Sequence, residues 1–370
     1  MSGVTDMAMR YVRAAARADG PALLETAGDD GDDSARAAAR QLLQTVFGAS
    51  ATGSTAPTEL VELVAQPEDN EAENALYTRI DDMLSADPVT ERAVTAVLTD
   101  LYRRAFAAGD TQALVTMGDL LRNCGDNDAA LAAYQQAATA GSAEAVFAWA
   151  RLLDRGFGDP DAAAAVYQEA IDAGDPETSP QALVQLGYLL ARGGRDEAAA
   201  QAAFRHAIES DHPRWALAGM KGMGFVAEQQ GDHDAAATIY RQIIDSGDPE
   251  WGANAAYSLG RLLEDNGDAA GAKAAYRRAV SLGPGDEAAG ALGRLLDMLA
   301  EQADLDAVRS AHQLAVHVGT SNAAYALVII AQLLRNLGDP HAARAALEQA
   351  AADGDSLAID MLEDEPNWPH

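Results

Sequence analysis

Along most of the chain small apolar residues recur every three or four positions, and the polar residues between them break at short Gly-Asp turns. The stretch Ala253 to Asp286, ANAAYSLGRLLEDNGDAAGAKAAYRRAVSLGPGD, shows the pattern. Leu259 and Leu263 lie on one helical face, Ala272, Tyr276 and Ala279 lie on another, and Gly267-Asp268 falls between them. A 3.6-residue apolar period on each side of a glycine predicts two helices joined by a tight turn. Gly125-Asp126, Gly158-Asp159, Gly231-Asp232 and Gly338-Asp339 divide other stretches the same way. Glycine supplies the left-handed backbone that ends a helix, and the aspartate caps the next one.

The unit repeats. Its large second-helix residue falls at Tyr134, Tyr167, Phe204, Tyr240, Tyr276, His312 and Leu347, with gaps of 33, 37, 36, 36, 36 and 35 residues. A small residue precedes each one in the first helix: Gly118, Ala150, Gly187, Gly224, Gly260, Gly293 and Ala331. A small residue where two helices cross lets their axes approach, and the bulky one fills the remaining space. A lone hairpin leaves one face bare, so the units are expected to stack.

Leu259-Gly260, Leu263, Ala272, Tyr276, Ala279 and Pro284 together resemble the pattern of the tetratricopeptide repeat family, with Leu263 where the family often has Tyr. The spacing near 36 exceeds that family's usual period of about 34. With the Gly-Asp-Pro linkers 174–176 and 247–249, it resembles a long-period, actinobacterial-type branch. The resemblance implies an all-α fold, a right-handed α-solenoid of stacked helical hairpins, with an additional N-terminal helical region.

The boundaries expected on this basis are an N-terminal helical segment at 1–50, a linker and capping helices at 51–110, seven repeats at 111–354, and a capping helix and tail at 355–370. The first third is helical by pattern but out of register with the repeat. Met9, Val12 and Ala16 share a face, and further helices are expected at Ser34–Phe47, Thr58–Val64, Ala72–Leu84 and Val89–Ala107. In the last of these, Leu98, Leu101 and Tyr102 are expected to pack on the first repeat. The Gly-, Ser- and Thr-rich run 49–57 reads as a linker. The acidic run 29–33 reads as a solvated loop, because it lacks the spaced oxygens and closing Glu of a calcium site. Leu357, Ile359 and Leu362 are expected to cover the end of the stack.

Composition narrows the function. The chain carries 57 acidic against 26 basic side chains, a net charge of −31. Binders of nucleic acid and of anionic membranes need clustered Lys and Arg, so direct binding to either is disfavoured, and a basic protein becomes a candidate partner. The single cysteine, Cys124, excludes an internal disulfide framework and fits a reducing, cytoplasmic setting. No phosphate-binding glycine loop, dinucleotide fingerprint or histidine pair of metal-ligand spacing is present. His312 and His317 fall on different helical faces, and His312 stands where Tyr276 stands in its neighbour, which suits a packed imidazole. The chain therefore reads as non-catalytic, without cofactor or metal.

Binding has candidates. Stacked hairpins curve and line their concave side with the first helices. One residue beyond each small crossing position stand Asp119, Arg151, Tyr188, Phe225, Arg261, Arg294 and Gln332. Three residues before it stand Val115, Phe147, Val184, Lys221, Tyr257, Gly290 and Val328. Phe147, Arg151, Tyr188, Phe225, Tyr257, Arg261, Arg294 and Gln332 are the expected contact residues, gripping a protein or peptide by an apolar anchor and a carboxylate. The alternatives are that Arg151/Asp154, Arg261/Glu264 and Arg294/Asp297 neutralise one another and that the aromatics fill space between units. Trp215 and Trp251, one unit apart and each two residues after a proline, suit the joining of hairpins. The leading expectation is an interaction scaffold; a ligand-responsive regulator and an acidic mimic of nucleic acid are the other classes.

Overall fold

The computed structural model describes residues 3–19, 35–48, 56–67, 70–282, 286–302, 308, 321–352 and 354–364. His312, His317, Pro284, the acidic run 29–33, most of the linker at 49–57 and the tail after 364 lie outside the described residues.

Among the described residues the regular structure is helical throughout. The chain divides into two compact units, 1–169 and 170–370. In the first, α1 (Gly3–Asp19), α2 (Ala35–Phe47), α3 (Thr58–Ala65), α4 (Asn70–Ala86) and α5 (Pro88–Ala107) precede the hairpins. The hairpins are α6 (Thr111–Asn123) with α7 (Asn127–Thr139), then α8 (Ala143–Arg151) with α9 (Pro160–Asp172). A π-helical turn, Leu152–Gly156, follows α8.

The N-terminal helices do not copy the hairpin stack. Helix α1 packs against each of α2 to α6, and one apolar core runs from Val4 and Met7 through Leu42, Leu76 and Leu98 to Leu114 and Tyr134. Thr5, fully buried, donates to Asp81 at 2.8 Å, and Arg13 pairs with Glu73 at 2.8 Å. Leu98 and Tyr102 are buried and Leu101 is partly so, on a helix packed against α6 as the sequence leads one to expect.

The second unit contains α10 (Thr178–Ala191) with α11 (Glu197–Ile208), α12 (Pro213–Gln229) with α13 (His233–Asp245), and α14 (Pro249–Asp265) with α15 (Ala269–Leu282). It continues with α16 (Asp286–Gln302), then α17 (Ser321–Asn336) with α18 (Pro340–Ala352), and α19 (Ser356–Asp364). Each helix packs on the next from α10 to α16, and the first helices also touch one another along α10, α12, α14, α16 and α17.

The turns use the expected chemistry. Gly231 has φ 75°, a conformation that side chains with a Cβ rarely adopt. Asp232 then serves both helices: its N–H donates to Ala227 O of α12 at 2.9 Å, while its carboxylate accepts from Ala235 N at 3.0 Å. Asp126, Asp268 and Asp339 repeat both bonds. Each junction closes one helix by the Schellman pattern and opens the next by a side-chain cap.

The crossings also follow the pattern. A Cβ placed on Gly118 would stand 2.5 Å from the ring of Tyr134, and one on Gly187 or Gly224 would stand 2.6 Å from Phe204 or Tyr240. Gly260 lies equally tight on Tyr276. Helix α12 carries a second glycine, Gly222, that presses on Phe204 from the following hairpin, so this ring is held between two backbones. Trp251 packs into the apolar clusters of both the α10–α12 and the α12–α15 regions, which is the joining role expected of it.

One expectation is corrected at the C-terminal end. Leu357 and Ile359 are 46% and 40% exposed, and α19 instead covers α18 with Ala358, Met361 and Leu362. Residues 358, 361 and 362 are three and four apart and share a helical face; 357 and 359 flank it.

Candidate functional site

Six of the eight candidate residues stand on the row of first helices in the second unit. Tyr188 on α10 and Phe225 on α12 stand on neighbouring helices with ring centroids 5.9 Å apart, both half-buried. Tyr188 also meets Phe204 edge-on at 5.0 Å, and burial pushes its phenol well above the ordinary range. Tyr257 on α14 is half-buried against Tyr276, centroids 5.9 Å apart. Arg261, Arg294 and Gln332 are exposed. In the first unit Arg151 is exposed, while Phe147 is only 8% exposed and lies 6.2 Å from Tyr167, leaving little of its ring to meet a partner.

Lys221 belongs to the same row, and its burial is what the sequence does not reveal. It is half-buried on α12; desolvation pushes its ammonium below the usual lysine range, with Glu287 and Glu228 opposing that shift and Arg261 adding to it. Asn254 of α14 donates to Glu287 of α16 at 2.5 Å. Gly290 presents no side chain beside Tyr257, whose ring edge would be 3.5 Å from a Cβ there. The row therefore offers aromatic surface, a desolvated ammonium and carboxylates within a few side chains of one another.

The acidic residues near the glycines do specific work. Tyr240 donates to Glu228 at 2.7 Å, Tyr276 to Glu264 at 2.6 Å, and Tyr134 to Asp119 at 2.7 Å. Charge-assisted bonds of this length hold each second-helix ring to its own first helix. For all three tyrosines, burial first and the carboxylate second hold the phenol above its ordinary pKa. Arg294 reaches back one repeat to Glu264 at 2.7 Å, so its partner is Glu264 and not Asp297. Glu264 thus joins Tyr276 to the next hairpin. An acid four residues after the glycine is the sequence signal for Glu228 and Glu264, visible once the ring contact is known. Cys124 is exposed at the residue level, and partial desolvation of its sulfur raises the thiol pKa, with the Thr95 hydroxyl opposing that shift.

Helical hairpins joined by capped turns, stacked so that their first helices form a wall, define an α-helical repeat scaffold for protein interaction. One tetratricopeptide repeat family model matches residues 115–178, 152–213 and 223–287, and a second matches 324–352. Together the matches take in about half of the chain, which belongs to the tetratricopeptide repeat family. No curated protein matches the sequence. Among solved structures, the yeast Tom70 is 14% identical, with 98% of this chain and 80% of that one covered at a TM-score of 0.46. A Sel1 repeat protein from Oxalobacter formigenes is 24% identical, covering 64% and 99% at a TM-score of 0.37. A tetratricopeptide repeat protein from Parabacteroides merdae is 16% identical, covering 79% and 97% at 0.34. Among the described residues no helix is long and apolar enough to cross a membrane.

Proposed function

We propose that the protein is a cytoplasmic adaptor that receives a segment of a partner protein along the concave wall of first helices. Tyr188, Phe225 and Tyr257 are the apolar anchors. Lys221 and Arg261 meet a carboxylate, Arg294 stays held by Glu264 beside them, and Gln332 extends the wall on α17. Arg151, beside the buried Phe147, holds the corresponding place in the first unit. The observation that carries this reading is the Tyr188–Phe225 pair: two partly buried rings in contact on adjacent first helices, each keeping some exposed surface. Rigid aromatic surface of this kind dominates binding energy at interfaces. The surplus of negative charge favours a partner with basic flanks, drawn in by long-range attraction.

The test is affinity capture from the native lysate with the wild type and a Tyr188→Ala/Phe225→Ala variant of equal helicity. The expected result is loss of the captured partner with the variant, and weaker capture by the wild type as salt rises. Equal capture by both proteins would remove the wall from consideration.

A further inference from the structure

At the turn end of the two hairpins of the first unit lies an open cavity of about 420 Å³, lined by Arg122, Asn127, Arg151, Leu152, Arg155 and Gly156. Three of these six residues are arginine and none is acidic, in a chain with more than twice as many acidic as basic side chains. Arg151 and Arg155 are four apart, one on the last turn of α8 and the other on the π turn, which places both on the same side of the helix. Arg122 comes from the end of α6, where it also lies 3.3 Å from Asp119.

The backbone keeps this space open. The π turn closes with Phe157 N donating to Leu152 O at 3.1 Å, one residue wider than an α-helical turn. It carries Gly156 to Asn127, where a Cβ would sit 2.6 Å from Leu152 Cδ1 and 3.5 Å from Asn127 Nδ2. A side chain at 156 would press on Leu152 and Asn127, two of the residues that line the cavity. Leu152 itself is buried and gives the floor an apolar patch, and Phe157, 42% exposed, adjoins it in the following turn.

Asp119 brings one carboxylate to this cluster, at Arg122, and the three guanidinium groups lining the cleft carry more positive charge than that carboxylate offsets. A carboxylate has two oxygens and one charge, which a single forked Arg satisfies. Several forks and an amide donor suit a group with more oxygens and a second negative charge, and a phosphate monoester has both. The volume exceeds that of the phosphate and leaves room for the residue or sugar that bears it. We propose that this cavity binds a phosphate monoester, with Arg151 and Arg155 as the principal ligands and Arg122 and Asn127 completing the set. The cavity shares Arg151 with the proposed wall, but it is read out by phosphate probes and not by partner capture, so the two readings fail separately.

The test uses the full chain, titrated at constant ionic strength with inorganic phosphate and with N-acetyl-O-phosphoserine amide, followed by calorimetry and by amide NMR shifts. Saturable binding of either probe, with shifts confined to 122–128 and 151–158, is the expected result; the tighter probe tells free phosphate from a phosphorylated side chain. Arg151→Ala/Arg155→Ala weakens binding by at least about tenfold. Gly156→Val, which crowds Leu152 and Asn127 at the cavity wall and removes no charge, weakens it at unchanged helicity. No saturable binding by the wild type, equal binding by both variants, or equal binding of N-acetylserine amide would overturn the proposal.

Discussion

Gly224 on α12 faces the ring of Tyr240 on α13 so closely that a Cβ at 224 would lie 2.6 Å from Tyr240 Cε1. The ring has little freedom to yield, because its hydroxyl is bonded to Glu228 at 2.7 Å and its side chain is 2% exposed. Gly224→Ala therefore trades a helix-propensity gain of up to about 1 kcal/mol for an overpacking cost of about 1–3 kcal/mol. A lowered melting midpoint is expected. A raised midpoint would mean that the ring moves aside.

The hydroxyl bond has its own signature. Tyr240→Phe keeps the ring and leaves Glu228 without its donor, which is expected to cost about 1–3 kcal/mol. Tyr257→Phe is the control, since that half-buried ring lies on the wall. Urea denaturation of the two variants should separate them, and equal midpoints would show that the Glu228 bond contributes little.

Glu264 and Arg294 form one ion pair but are not equivalent. Arg294 is exposed, and losing it removes a surface pair of about 0–1 kcal/mol that salt already weakens. Glu264 also accepts from the buried Tyr276, so Glu264→Ala strands a hydroxyl as well. Thermal melts should show the Glu264 variant as the less stable of the two, and the reverse order would discount the Tyr276 bond.

Alkaline pH should unfold the protein through its tyrosines. Tyr102 is pushed up to about 12 by burial and then by Tyr11, and burial likewise raises Tyr134, Tyr188, Tyr240 and Tyr276. In the unfolded chain these phenols ionise near pH 10. Above that pH the unfolded state holds fewer protons than the folded one, so stability falls as pH rises. Their contribution is fully present below pH 10 and is lost as pH climbs towards the folded values. Tyrosinate absorbance should rise together with loss of helicity; full ionisation of a still-helical protein would contradict the raised values.

The aspartate at each hairpin turn is expected to matter more than its exposure suggests. Asp232→Ala removes the acceptor for Ala235 N and should cost about 0.5–2 kcal/mol, while its backbone bond to Ala227 survives. Asp234→Ala, two residues further on in the first turn of α13, serves as the comparison by melting midpoint.

The positions that were legible in the sequence are those whose partners lie close along the chain or recur at the period. Gly231 and Asp232 act over fewer than six residues, so their roles follow from residue type and spacing. Gly187 and Phe204 recur with their counterparts, so the contact follows from the repeat. Phe147 and Tyr188 both read as wall residues, yet one is buried and the other keeps part of its surface exposed. Their exposure depends on which neighbours the stacking brings over them.

By itself the sequence determined the helices, their capped ends, the hairpin unit and its repetition, because hydrogen bonding within a helix and at its caps is satisfied among near neighbours. Only the tertiary structure decided that Arg294 turns to Glu264, that Lys221 is desolvated, and that a π turn opens a space beside three arginines. Those outcomes depend on the distance and angle at which separate helices meet, and side chains far apart in the chain acquire their electrostatic surroundings only when that packing is complete.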